Sequence, residues 1–505
     1  MNVLRSLTML IFLLSVSIFI VVSGRLTGRE EIVFPSIETL RSGEKRLSFR
    51  ALNEDIELKL ESAGNVFGEG FFVESIHDGR SAIPELNLHD IKQNLYKDKR
   101  AGASLHIEEK EHTLIRGIIN HKLRIEPHES EARVRGGVRS HRIMEYIEED
   151  GFHENDAVKP GANFHPNINK SSDGLRSGEP IYVEICIVTD TAFTKLFPND
   201  YAIIVYVAIL INGAQCRYDN LRNIRVILVF SGLKIVRYAR HEPYIQNNLV
   251  EGHLLKGFDA LNDFGKYMGR AGYTCDVIKL LTKLDLVDEV DGKLASGLLG
   301  LAYIGTVCDT SSEPDFSYKV GISEDDAHCF VGVRTVAHEL AHNLGCGHDG
   351  DLPVSYIQGH PGSENCPWDD GYIMSYVQEF LNRYYFSSCC EDCIRYSAMI
   401  FDCLRNNNTG YDLGVSSEMP GVQLENTLGY SVSKYENEKV AYYDHRCKNL
   451  RRGFVLRSFK YPDGTCSYAC RTEVDEENQF YYWTVDCLDG DMCDTGKRCF
   501  NGECI

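Results

Sequence analysis

The 505 residues predict an α/β domain built on a central sheet, preceded by a β-rich segment and followed by a small disulfide-stapled module. Three observations carry that prediction. Residues 181–188 form a β-branched run that reads as a buried strand, and alternating helical and strand signals follow it. The stretch before it contains strand-like runs and no cysteine. All 18 cysteines lie from Cys186 onward, and the last of them sit among Gly and Asp at short intervals.

The elements follow in chain order. One positive charge, Arg5, precedes an apolar run over 7–22, and the small residues Ser23 and Gly24 close it, which predicts a secretory signal over 1–24. No second apolar stretch reads as spanning, so a secreted, extracellular protein with no stable membrane anchor is expected, and a monomer. Residues 25–176 read as a pro-segment with strands at 113–119 and 122–125 and a loop-like end, Lys159-Pro160-Gly161 and Ser171-Ser172-Asp173-Gly174. Residues 177–405 form the α/β domain. Within it 202–211 and 226–230 mix helix and strand signals, whereas 258–268 and 277–284 have helical spacing. Residues 406–505 end with Cys487, Cys493, Cys499 and Cys504, a spacing too loose for a zinc ribbon and suited to disulfides in an oxidising compartment. A boundary at residue 405 leaves odd cysteine counts on both sides. Asn169 and Asn407 begin glycosylation triplets. The formal net charge of -20 argues against a nucleic-acid partner, because phosphate binding needs a basic face.

The chemistry concentrates in Thr335-Val336-Ala337-His338-Glu339-Leu340-Ala341-His342-Asn343-Leu344-Gly345-Cys346-Gly347-His348-Asp349-Gly350. His338 and His342 are four apart, so a helix puts both imidazoles on one face. Gly345 can take positive φ, which lets the chain leave the helix and swing back to deliver His348. Three neutral imidazoles plus one water make an open tetrahedral site, the arrangement of one catalytic zinc ion. Glu339, beside the first histidine, can reach that water as general base. Cys346 could bind metal or pair with another cysteine of the domain, and a disulfide is the expected role.

This extended motif resembles that of the metzincins, and Asp349, straight after the third histidine, is similar to the reprolysin (adamalysin) branch. Ile373-Met374-Ser375-Tyr376 resembles the methionine turn, with Met374 beneath the zinc ligands. Tyr376 has the spacing of an extra tyrosine ligand in astacins, but is read as core. Tyr182-Val183-Glu184 and Thr189-Asp190 are similar to the family's opening strand, and residues 276–282 to its helix-to-loop stretch. Gly300-Leu301-Ala302-Tyr303 resembles the edge strand against which substrate adds as a further strand. Phe386-Ser387-Ser388-Cys389 resembles the closing segment. The resemblance covers about residues 181–405, extends more loosely to 123–127 and 141–143, and in layout is most similar to the secreted salivary metalloproteases of ticks.

The resemblance implies an α/β (α+β) metzincin catalytic domain with a mixed central sheet and a zinc helix. It implies a secreted zinc-dependent metalloendopeptidase made as a zymogen, with substrates such as fibrinogen, fibrin, gelatin or other matrix proteins. It further implies a Cys308–Cys389 disulfide and a structural calcium site from Glu184, Asp276 and the carbonyl of Cys389. The pro-segment departs from the pattern, since it has no cysteine to cover the zinc. A carboxylate or imidazole near His153, Glu154 and Asp156 is expected to take that place. Lys97-Asp98-Lys99-Arg100 and Arg139-Ser140-His141-Arg142 resemble basic processing sites, and Arg176 lies nearest the expected mature start. Two other functions compete: a catalytically silent binding protein acting through its cysteine-rich tail, and a zinc hydrolase of a non-protein substrate. The intact Glu339 and the peptide-binding edge strand favour the endopeptidase.

Overall fold

The computed structural model describes residues 24–405, apart from 78–79, 82–87, 129–133, 149–155, 162–163, 165, 167–178, 291, 309–314 and 378–380, and beyond them the backbone of short strands between Leu456 and Cys504. The signal run, His153, Glu154, Asn169, Arg176, Asn407 and the tail cysteine side chains lie outside the described residues.

The central sheet contains, in chain order, β1 (Phe67–His77), β2 (Ala157–Val158), β3 (Pro180–Thr189), β4 (Arg225–Ile235), β5 (Val277–Thr282), β6 (Gly300–Tyr303) and β7 (Val320–Glu324). Their spatial order is β2–β6–β7–β5–β3–β4–β1, with the short strand Arg80–Ser81 beyond β1. β6 runs antiparallel to β7 and the other neighbours from β2 to β1 are parallel, so the sheet is mixed. β3 explains its own sequence. Ile181, Val183, Ile185 and Ile187 face one apolar core and Cys186 and Val188 the other, which requires a continuous apolar run rather than alternation.

Helices α1 (Asp200–Tyr218) and α3 (Val333–Asn343) pack in the first core, and α2 (Gly257–Ala271) packs in the second. A fourth helix, α4 (Ser388–Ile400), begins at the Ser387 cap, whose hydroxyl accepts from the Cys390 N–H. The mixed signals at 202–211 resolve into α1, whose 19 residues are apolar on every side and long enough to cross a membrane by composition. Sequence reading finds no second spanning stretch, and this is a correction. The helix lies in the core between β4 and the N-terminal sheet, where the Ser104 hydroxyl donates to the Ile209 carbonyl at 2.9 Å.

Residues 277–284 are a second correction. Their helical spacing becomes strand β5, all six of whose residues are buried. A short apolar run buried on both faces has no periodicity that separates strand from helix.

Strands from residues 24–62 and 95–148 build a separate eleven-stranded sheet over a core that includes Leu47, Leu58, Leu105, Ile115 and Ile125. Thr113–Ile118 and Leu123–Pro127 are adjacent antiparallel strands in it. The basic stretch Arg139 to Arg142 is built into the same sheet, with Ser140 and His141 buried and Arg142 paired with Glu126.

Disulfides join Cys186 to Cys275, Cys308 to Cys403, Cys346 to Cys390 and Cys366 to Cys389. The Cys308–Cys389 pairing is therefore corrected. Cys389 opens α4 and Cys403 follows its end, and 13 helical residues separate those ends by about 20 Å. The expected calcium set fails for the same reason. Asp276 accepts the Glu184 N–H at 2.9 Å and lies beside the Cys308–Cys403 bridge, whereas Cys389 sits at the opposite end of α4. Cys216, Cys329 and Cys393 are buried thiols.

Candidate active site

Helix α3 is buried along its whole length, so its ligand face is held by packing. His338 and His342 project from one side, with ring centroids 4.7 Å apart. Gly345 then takes φ +98°, the Cys346 N–H returns to the Ala341 carbonyl at 2.9 Å, and the chain doubles back. His348 completes the group at 5.5 Å from His338 and 4.9 Å from His342, ring to ring.

Backbone groups orient the rings. The His338 Nδ1 lies 2.8 Å from the Ile373 carbonyl and the His342 Nδ1 2.8 Å from the Cys346 carbonyl. A carbonyl only accepts, so each Nδ1 carries the proton and each Nε2 presents a lone pair. Burial lowers His338 and holds His342 down at about 4, which keeps both neutral. For His348, burial lowers the pKa but the Asp156 carboxylate, with Asp351 and Asp349, outweighs it, and the net direction is up. The buried Nε2 atoms of His338 and His348 make no hydrogen bond of acceptable geometry. Orphaned nitrogens converging in this way fit a zinc ion.

Glu339 points toward the edge strand. A Cβ on Gly300 would lie 2.6 Å from its Oε1, so only glycine leaves room for the carboxylate there. Its Oε2 is buried without a hydrogen-bond partner. Burial raises its pKa well above the usual carboxylate range, with the Asp156 charge adding and Lys279 and Arg334 opposing. Behind the helix the buried Lys279 ammonium donates to the Glu339 carbonyl at 2.8 Å and to the Asn343 side chain at 2.5 Å. Sequence reading missed Lys279, whose role depends on β5 lying under α3.

Met374 is fully buried, and its carbonyl accepts from the Asp349 N–H at 3.0 Å. Asp349 also accepts from the Ser387 hydroxyl at 2.5 Å, tying the third-histidine turn to the start of α4. Cys346 is bridged to Cys390 and is not a ligand. Tyr376 is a correction. It lines the site instead of filling the core, with its ring 5.8 Å from that of His338 and 5.5 Å from that of His348.

The remaining member is Asp156. Its Oδ1 lies 2.8 Å from His348 Nε2 and 3.3 Å from His342 Nε2, and its Oδ2 lies 3.4 Å from His338 Nε2. The Tyr376 hydroxyl donates to the same carboxylate. Burial would raise its pKa, but His348 and His338 outweigh that and hold it well below the usual range.

The chain is similar to known proteins in this region and beyond it. The family model Reprolysin_5, metallo-peptidase family M12, matches residues 181–387. The venom metalloproteinase antarease TserMP_A of Tityus serrulatus is 36% identical over 399 residues, covering 77% of this chain and 96% of that protein. The antarease-like TtrivMP_A of Tityus trivittatus is 33% identical, covering 77% and 96%. The venom metalloproteinase BumaMPs1 of Olivierus martensii is 35% identical, covering 75% and 92%.

Proposed function

Because this chain belongs to metallo-peptidase family M12 as a reprolysin-type metzincin, and is thus a zinc metalloendopeptidase, we propose that His338, His342 and His348 hold its zinc and that Glu339 is its general base. The observation that carries this reading is the convergence of three buried imidazoles beside a carboxylate that backs onto the edge strand β6. A zinc ion held by these three histidines would polarise the scissile carbonyl and acidify water. Glu339 would take a proton from the attacking water and deliver it to the leaving amine. The Ile373 and Cys346 carbonyls keep the His338 and His342 tautomers fixed. Met374 and the Asp349–Ser387 hydrogen bond hold the floor of the site in place.

The chain is secreted by its N-terminal signal, 1–24, and residues 25–176 are a pro-segment removed on activation. Residues 177–405 are the catalytic domain and 406–505 a cysteine-rich domain. The disulfides of the catalytic domain support an oxidising compartment. The substrates are extracellular proteins of the fibrinogen, fibrin, gelatin or matrix class, bound as an extended strand along β6.

The test is digestion of fibrinogen and gelatin by the processed protein, with and without a zinc chelator, beside Glu339→Ala. Cleavage abolished by both supports the reading. Fully processed, zinc-loaded protein that cuts neither these proteins nor a diverse peptide library overturns it.

A further inference from the structure

Asp156 belongs to the segment assigned above to the pro-region, yet it reaches the centre of the site 182 residues before His338 in sequence. The Nδ1 contacts to the Ile373 and Cys346 carbonyls turn the Nε2 atoms of His338 and His342 toward the oxygens of the Asp156 carboxylate. A carboxylate and imidazole lone pairs facing one another in a buried site need a positive charge between them, a metal ion or a proton. The separations of 2.8, 3.3 and 3.4 Å between the carboxylate and the three Nε2 atoms also have a natural reading. Ligands at 2.0–2.1 Å from a tetrahedral zinc lie about 3.3 Å from one another.

The chain after Asp156 is committed to the same cleft. β2 pairs with the edge strand β6, Ala157 opposite Ala302 and Val158 opposite Tyr303. The Ala302 N–H donates to the Asp156 carbonyl at 3.1 Å and the Ile304 N–H to the Val158 carbonyl at 3.0 Å. Phe164 is then buried against the rings of Tyr318 and Tyr356, at 5.0 and 5.9 Å. The Asp156 and Val158 carbonyls are thus bonded to the edge strand, and the Ala302 and Ile304 donors that a substrate strand would use are taken.

Resting on the zinc-peptidase reading, we propose that Asp156 is the latency ligand of the precursor: its carboxylate takes the fourth coordination position of the metal while β2 fills the substrate edge. The cysteine-free pro-segment then needs no thiolate, because a carboxylate oxygen is an ordinary zinc ligand. The Tyr376 hydroxyl holds the carboxylate in this position by donating to it.

The experiment loads the full-length precursor with cobalt(II) in place of zinc and compares its visible spectrum with those of Asp156→Ala and of the processed enzyme. Unprocessed protein is also assayed on a quenched peptide. The expected result is a spectrum in Asp156→Ala that moves toward that of the processed enzyme, with peptide cleavage at least about tenfold above the wild-type precursor. Asp156→Cys keeps a folded plug and should stay latent while gaining a thiolate-to-cobalt charge-transfer band in the near ultraviolet, which a merely structural residue would not produce. An Asp156→Ala precursor with unchanged spectrum and unchanged latency, or an Asp156→Cys precursor without the charge-transfer band, overturns the proposal. If the processed wild-type enzyme is active in the same experiment, that failure belongs to Asp156 alone. Processed enzyme without chelator-sensitive cleavage would instead sink the peptidase reading, whatever the spectra show.

Discussion

The N-terminal segment contributes a strand to the central sheet, and Glu74→Ala measures how much the fold depends on it. β1 pairs in parallel with β4, and Glu74 lies opposite Lys234 in the register. The Lys234 ammonium is 2.9 Å from the Glu74 Oε1, both side chains are 4% exposed, and the Tyr273 hydroxyl donates to the other carboxylate oxygen. At an effective dielectric near 20, charges at that separation attract by about 6 kcal/mol, and desolvation offsets part of it. Removing one partner leaves the other charge buried and alone, a loss of about 3–5 kcal/mol. The assay is chemical denaturation of the precursor on a Glu339→Ala background, which prevents self-cleavage. A Glu74→Leu/Lys234→Met pair should recover most of the loss, because two apolar side chains of similar volume replace the ion pair. A single-variant loss below about 1 kcal/mol would refute the claim that this pair is desolvated and that β1 completes the sheet.

Other expectations concern the site and its cover. Gly300→Ala should push the Glu339 carboxylate off the edge strand and lower kcat of the processed enzyme by about 10-fold to 100-fold with zinc content unchanged, read by steady-state kinetics and metal analysis. Glu339→Ala should lower kcat by about 10²- to 10⁴-fold and leave zinc bound. Acid should loosen the N-terminal sheet through His141. That ring is fully buried, accepts the Ile115 N–H on Nε2 at 2.7 Å, and is held down at about 4 by burial. A histidine whose folded pKa lies below its unfolded value of 6.5 contributes stability present above 6.5 and lost as pH falls toward 4, here up to about 3 kcal/mol. Thermal melts of the precursor between pH 8 and pH 4.5 should show that slope, and His141→Gln should reduce it. An unchanged slope would exclude His141 as the titrating group.

What the sequence determined by itself was local. The i, i+4 pairing of His338 and His342 needs only a helix, and the positive φ of Gly345 needs only a residue without a side chain. The strand over Pro180–Thr189 and the helix over Gly257–Ala271 were equally legible, because one is a continuous β-branched run and the other an amphipathic repeat. Tertiary structure decided the rest, because those features depend on which distant segments meet. β5 was indistinguishable from a helix until both its faces were buried. Cys308 joins Cys403 and not Cys389, since the length of α4 puts those two cysteines at opposite ends. Tyr376 lines the site through its contacts with the His338 and His348 rings, and Asp156 reaches it where β2 lies along β6, a pairing across more than a hundred residues that no local periodicity encodes. Local pattern sets what a segment can form, and long-range packing sets what its side chains touch.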